Sequence, residues 1–100
     1  MTIRHVVTWN VAGDDPAGRA ENAEQVADRL RGLVGVVPAI RALEVGVNIA
    51  SPEANADVVL IMDVDDLDAL EDYQQHPAHQ EAAAFIRSVV TGRAAVDFRV

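Results

Sequence analysis

Seven residues, Tyr73-Gln74-Gln75-His76-Pro77-Ala78-His79, hold the only tyrosine of the chain and two of its three histidines. A neutral imidazole is the usual base for removing a proton from a carbon beside a carbonyl. A phenol can hydrogen-bond the oxygen on which the resulting negative charge collects. His79 and Tyr73 fit those two roles. The third histidine, His5, lies on an alternating stretch with Ile3, Val7 and Trp9, where it would form a polar group at the bottom of an apolar pocket. Each residue also has a plainer use. A buried histidine can be hydrogen-bonded to a neighbour to hold a strand, and a lone tryptophan can simply pack the core. The sharper alternative for Trp9 is to line a pocket for a flat aromatic or quinone-like molecule.

Two helices meeting at a break must position these side chains. Pro77 lacks an N–H and has a fixed φ, which suits the first position of a helix, and it pushes His76 out of helical geometry. The spacing predicts a short helix ending near Gln75, a break at His76 and a second helix from Pro77. His79 then lies in the first turn, where the helix dipole disfavours a protonated imidazole. It shares a stripe with Ala82, Ala83, Ile86 and Val90 and should point inward. His76 faces the N-cap position and reads as the structural histidine of the pair.

Thr2 to Val11 alternates with period two and reads as a strand. Ala12 to Pro16 is a loop, with Asp15 as N-cap and Pro16 at the first helical position. A helix runs from there to Val34, burying Ala20, Ala23, Val26, Ala27, Leu30, Leu33 and Val34, and Gly35 stops it. A second strand is expected over Ile40 to Ile49 and a third over Asp57 to Val64. The third is apolar enough to be central and covered on both faces. Asp63, Asp65, Asp66, Asp68, Glu71 and Asp72 crowd the next stretch. A calcium loop would need a glycine at its sixth position and a glutamate at its twelfth, so helix capping is the better reading. Val89 and Val90 should belong to the last helix, which Thr91-Gly92 ends, and Ala94 to Val100 makes a fourth strand.

The element order predicts an α+β, ferredoxin-like βαββαβ domain over residues 1–100, with a four-stranded antiparallel sheet and its helices on one face. The other face carries Val6, Thr8, Asn10, Glu44 and Asn48. It is too mixed to sit comfortably in water, so a homodimer joined sheet to sheet is expected.

The bulk numbers narrow the function classes. Net charge is −8, which argues against nucleic acid and anionic membrane surfaces as partners. No stretch approaches the length of a membrane span, and Arg4, His5 and Asn10 interrupt the one candidate leader. The absence of cysteine removes thiolate chemistry and fits a reducing, cytoplasmic location. All eight basic residues are arginine, a composition typical of GC-rich bacterial genomes. No metal site is expected, because His76 and His79 are three apart with a proline between them, unlike the four-residue spacing of zinc proteases. No glycine loop for phosphates and no Ser/His/Asp arrangement is present, and no cofactor is expected.

The chain resembles the stress-responsive dimeric α/β-barrel family, abbreviated Dabb. The resemblance rests on Ile3-Arg4-His5-Val6-Val7, Gly35-Val36-Val37-Pro38-Ala39-Ile40, Val45-Gly46-Val47-Asn48, Leu70 through His79, and Val96-Asp97-Phe98. It implies a homodimer whose two sheets form one barrel. In one plant branch the family implies a polyketide cyclase, a lyase-type activity that closes an aldol without cofactor. That branch places a first-strand histidine, the tyrosine before the His-Pro pair and the histidine after it at the site, here His5, Tyr73 and His79. A further third-strand histidine of the branch is replaced by Asp57, which with Trp9, Val7 and Ile86 completes the expected ligand-lining set. Asp57 is also the expected carboxylate partner of His79, should one exist. Some plant members hold a cation on backbone carbonyls, at positions matching Val34, Val37 and Ile40. Two functions stay open: a small-molecule enzyme working on a carbonyl or polyketide-like substrate, and a non-catalytic stress-protective dimer whose histidines are structural.

Overall fold

The computed structural model describes all 100 residues, Met1–Val100. The chain forms β1 (Ile3–Val11), α1 (Pro16–Arg31), β2 (Ala42–Val47), β3 (Val58–Val64), α2 (Leu67–Gln75), α3 (Pro77–Val89) and β4 (Val90–Arg99). The sheet is antiparallel in the order β2-β3-β1-β4. That is the ferredoxin-like arrangement, with the second helix split in two at His76.

Period two in β1 becomes a strict alternation of burial. Ile3, His5, Val7, Trp9 and Val11 are covered by the helices, while the residues between them are half-exposed. Val58, Leu60, Met62 and Val64 of β3 join them under Val26, Ala27 and Leu30 of α1. Each fully buried aliphatic side chain of this kind contributes roughly 1.5–3 kcal/mol of transfer free energy.

The opposite sheet face is open. There Val6 pairs with Ile61 on one side and Val96 on the other, and Arg4 with Asp63 and Phe98. Arg4 donates to both oxygens of Asp63, at 2.8 and 3.1 Å. That bidentate pair holds the Asp63 carboxyl below its usual range, chiefly through the hydrogen bonds. β3 is central, but it is covered on one face only: Val59, Ile61 and Asp63 are half-exposed.

Several boundaries differ from the sequence reading for local reasons. α1 ends at Arg31, and the chain then turns through Gly35, whose φ of 81° favours glycine. Val34 is therefore exposed while Leu33 remains in the core; Ala20, expected to be buried, lies on the exposed side of α1. β2 is limited to Ala42–Val47, because the Asn48 amide donates to Ala50 O at 2.6 Å and turns the chain away. α3 stops at Val89, with Val90 already in β4. The β-branched run Val89-Val90-Thr91 favours extended backbone, and Ala12 N–H donates to the Val89 carbonyl at 2.8 Å to fix the corner.

Capping accounts for much of the acidic cluster. Asp66 accepts from Ala69 N–H at 2.8 Å as N-cap of α2, and Asp65 pairs with Arg41 at 2.7 Å. Asp15 caps α1 through Gly18 N–H at 2.7 Å, with Pro16 at the first helical position.

Candidate functional site

His76 has φ −63° and ψ 134°, an extended geometry that ends α2 and starts α3. Its Nδ1 accepts from Ala78 N–H at 3.0 Å, so this histidine is a cap. The break turns α3 so that His79 meets Tyr73, with ring centroids 4.4 Å apart. His5 approaches the same tyrosine from the sheet side, with ring centroids 6.1 Å apart in an edge-on arrangement. The three side chains thus come together from β1, α2 and α3.

They line one cavity of about 360 Å³ between helices and sheet, a size within the usual range for small-molecule sites. Val7, Trp9 and Leu60 share its sheet side with His5, and Ala82 and Ile86 line it from α3. Two arginines, Arg87 and Arg93, are its only exposed lining residues and therefore form its rim.

Hydrogen bonding fixes the state of each ring. His79 Nδ1 lies 3.1 Å from the Gln74 carbonyl. A carbonyl only accepts, so Nδ1 carries the hydrogen and Nε2 keeps its lone pair. The His79 pKa is lowered, first by burial and then, against the opposing Gln74 bond, by the nearby His5, Arg87 and Arg93. His5 Nδ1 faces the Asp97 carboxylate, which accepts its hydrogen. Burial pushes the Tyr73 phenol up to about 12, so it stays a hydrogen-bond donor at neutral pH. Tyr73 is 1% exposed, and no protein group takes its hydroxyl, whose shift comes from burial alone.

Asp57 is not part of this cluster. It lies at the far end of β1, where its carboxylate accepts from Val11 N–H at 2.8 Å and pairs with Arg19 at 2.9 Å. Its backbone N–H donates to the Trp9 carbonyl at 2.8 Å. A residue just before β3 points into the strand end and α1 rather than toward α3: Asp57 lines a separate cavity with Arg19 and Asn48, which corrects the expectation that it shares the site of His79 or partners that ring. The carboxylate at the site is Asp97, which sequence reasoning missed along with Arg87 and Arg93. Asp97 and Arg93 share the buried-face parity of β4, opposite His5 and Trp9. Of the three backbone carbonyl positions, Val37 accepts from Ile40 N–H at 3.3 Å in a turn.

The model of the stress responsive A/B barrel domain matches residues 3–100. The chain belongs to this family. An uncharacterized protein of Streptomyces coelicolor is 34% identical over 90 residues, covering 89% of this chain and 91% of that protein. A dimeric ferredoxin-like protein of unknown function from Bacteroides fragilis superposes with a TM-score of 0.86 at 25% identity, over 99% of this chain and 96% of the other. A second, from Thermobifida fusca, gives 0.84 at 29%, over 100% and 92%. The fold alone is shared with two enzymes. A hydroxynitrile lyase from Passiflora edulis is 10% identical at a TM-score of 0.80, and a cofactor-independent oxygenase from Streptomyces nogalater is 18% identical at 0.76. No helix of this Dabb chain is long and apolar enough to cross a membrane.

Proposed function

We propose that this Dabb protein works as a homodimer that binds a small carbonyl compound of polyketide-like character and transforms it by acid–base chemistry without a cofactor. The reading rests on one observation: the unprotonated Nε2 of His79 and the unpartnered hydroxyl of Tyr73 belong to one cavity. His79 Nε2 takes a proton from the carbon beside the carbonyl. The C–H electron pair moves to form the enolate, and Tyr73 O–H donates to its oxygen. His5, oriented by Asp97, stands on the sheet side of Tyr73 as a polarising partner. The enolate carbon can then attack a second carbonyl of the same molecule, which returns the proton to oxygen and closes a ring.

The test is α-proton exchange of 4-phenylbutan-2-one in D₂O, followed by proton NMR. The wild-type protein should accelerate it and His79→Ala should not. Exchange no faster than buffer with the wild-type protein would sink the reading. A second reading is favoured by the His79 bond to Gln74, which ties α3 to α2. In that reading the histidines hold the elbow and the dimer only binds or protects.

Dimerisation is supported by the open sheet face, where Phe98 and Val96 are 44% and 62% exposed beside Val6. Several solved neighbours are described as dimeric. Val6→Asp places an unpaired charge on that face and should weaken self-association. Light scattering that gave a stable 10.7 kDa monomer for the wild-type chain would refute the dimer.

A further inference from the structure

Acidic residues outnumber arginines sixteen to eight in this chain, so an arginine has no shortage of carboxylates. Four of the eight are paired: Arg4 with Asp63, Arg19 with Asp57, Arg31 with Asp28 and Arg41 with Asp65. Arg29 lies 4.0 Å from the centre of the Phe85 ring. Only Arg87, Arg93 and Arg99 have neither kind of partner. Two of these three stand on the rim of the cavity that holds His79 and Tyr73; no Asp or Glu lines that cavity, and the nearby Asp97 carboxylate is taken by His5. They come from different elements, the last turn of α3 and the strand β4, on either side of the corner at Val89-Val90. Beneath them the lining is aliphatic and aromatic, with Val7, Trp9 and Ile86.

We propose that the cavity is built for a substrate bearing a carboxylate, whose anionic end is held at the rim by Arg87 and Arg93 while its apolar body lies on Trp9, Val7 and Ile86. The inference rests on the acid–base reading of the same cavity and names its substrate class. A guanidinium offers paired N–H groups that match the two oxygens of a carboxylate. Two of them can fix one end of the molecule, which orients its carbonyl carbon toward His79 and Tyr73. The same positive rim stabilises the second negative charge that forms when the proton leaves. It also locally reverses the repulsion that a net charge of −8 imposes on anions.

The probes are 3-phenylpropanoate and its uncharged counterpart 3-phenylpropanamide, titrated against the fluorescence of Trp9, the only tryptophan, with histidine NMR shifts as a second readout. The acid should bind about ten- to a hundred-fold more tightly than the amide, and the preference should shrink as salt is raised. The double variant Arg87→Gln/Arg93→Gln should bind both probes alike, at the affinity of the amide. Arg99→Gln, away from the cavity, should change nothing. Equal binding of acid and amide to the wild-type protein, or a preference that survives in the double variant, would overturn the inference while leaving the acid–base reading standing. Because α-proton exchange of 4-phenylbutan-2-one needs no carboxylate, its failure would instead bring down that reading, whatever the acid does. If neither probe perturbs Trp9 or the histidines, the substrate class proposed is wrong.

Discussion

Two buried polar clusters sit at opposite ends of the core, and they differ in what is left over. At the Asp57 end every strong group is used: the carboxylate accepts from Val11 N–H and Arg19, and Arg19 also donates to the Pro52 carbonyl at 2.9 Å. The loop is pressed so closely that a Cβ on Gly13 would run into the backbone of Arg19. At the His79 end the rings are pinned through Nδ1, while Nε2 of two histidines, a phenol and two guanidiniums keep capacity to spare. Buried polar groups are normally satisfied. The Asp57–Arg19 pair also borders a cavity, of about 520 Å³, but its polar groups are spent on one another and hold the fold together, whereas those at the His79 end are left for something outside the chain.

Mutation should separate the two ends. His79→Ala should slow α-proton exchange by about 10²–10⁴-fold while costing only about 1 kcal/mol of stability, the worth of its bond to Gln74. Paired exchange and urea-denaturation measurements test this, and a large stability loss with unchanged exchange per folded molecule would move His79 into the structural class. Tyr73→Phe should reduce exchange by about 10²–10³-fold. It should leave the denaturation midpoint nearly unmoved, since the hydroxyl has no protein partner to lose. Asp57→Ala should do the reverse: a loss of about 2–3 kcal/mol, because Val11 N–H and Arg19 are both stranded, with exchange per folded molecule unaltered.

The smallest effect is on pH dependence. The folded pKa of His79 lies below its unfolded value, so between the two the unfolded chain binds more protons and stability rises with pH. The neutral ring's contribution is complete above the unfolded value near 6.5. It is lost as pH falls through the lower, folded value. NMR titration gives the value directly, and a His79 still protonated above pH 7 would end the neutral-base mechanism.

The elements behind the open cluster were legible before the fold was known. Pro77 marked the break, His76 the cap, and the stripe from His79 to Ile86 the inward face. The order of strands and helices pointed to the ferredoxin-like sheet. What escaped depends on long-range register. Asp97 and Arg93 have the parity of the buried face, yet only the pairing of β4 with β1 puts them opposite His5 and Trp9. His5 and Asp97 are 92 positions apart, and no local periodicity encodes that pairing. Arg87 was hidden differently: a charged residue in the last turn of a helix reads as a complement to the dipole, and only the neighbouring strand makes it part of a rim. Asp57 erred in the opposite sense, since its place in the strand order was legible but its direction was not.

α3 passes into β4 without a connecting residue, and this shapes how the cavity is built. His79, Arg87, Arg93 and Asp97 all ride on one bent rod. Its corner is fastened by the Ala12–Val89 hydrogen bond, and its far arm is zipped to β1. Between Arg87 and Arg93 the rod carries one irregularity, where the register with β1 shifts opposite Gly92 and Val90. The single extended residue His76 marks the other break beside the cavity, with α2 and Tyr73 beyond it. The base His79 thus sits between two interruptions of regular structure, with the phenol across one and the strand arginine Arg93 across the other.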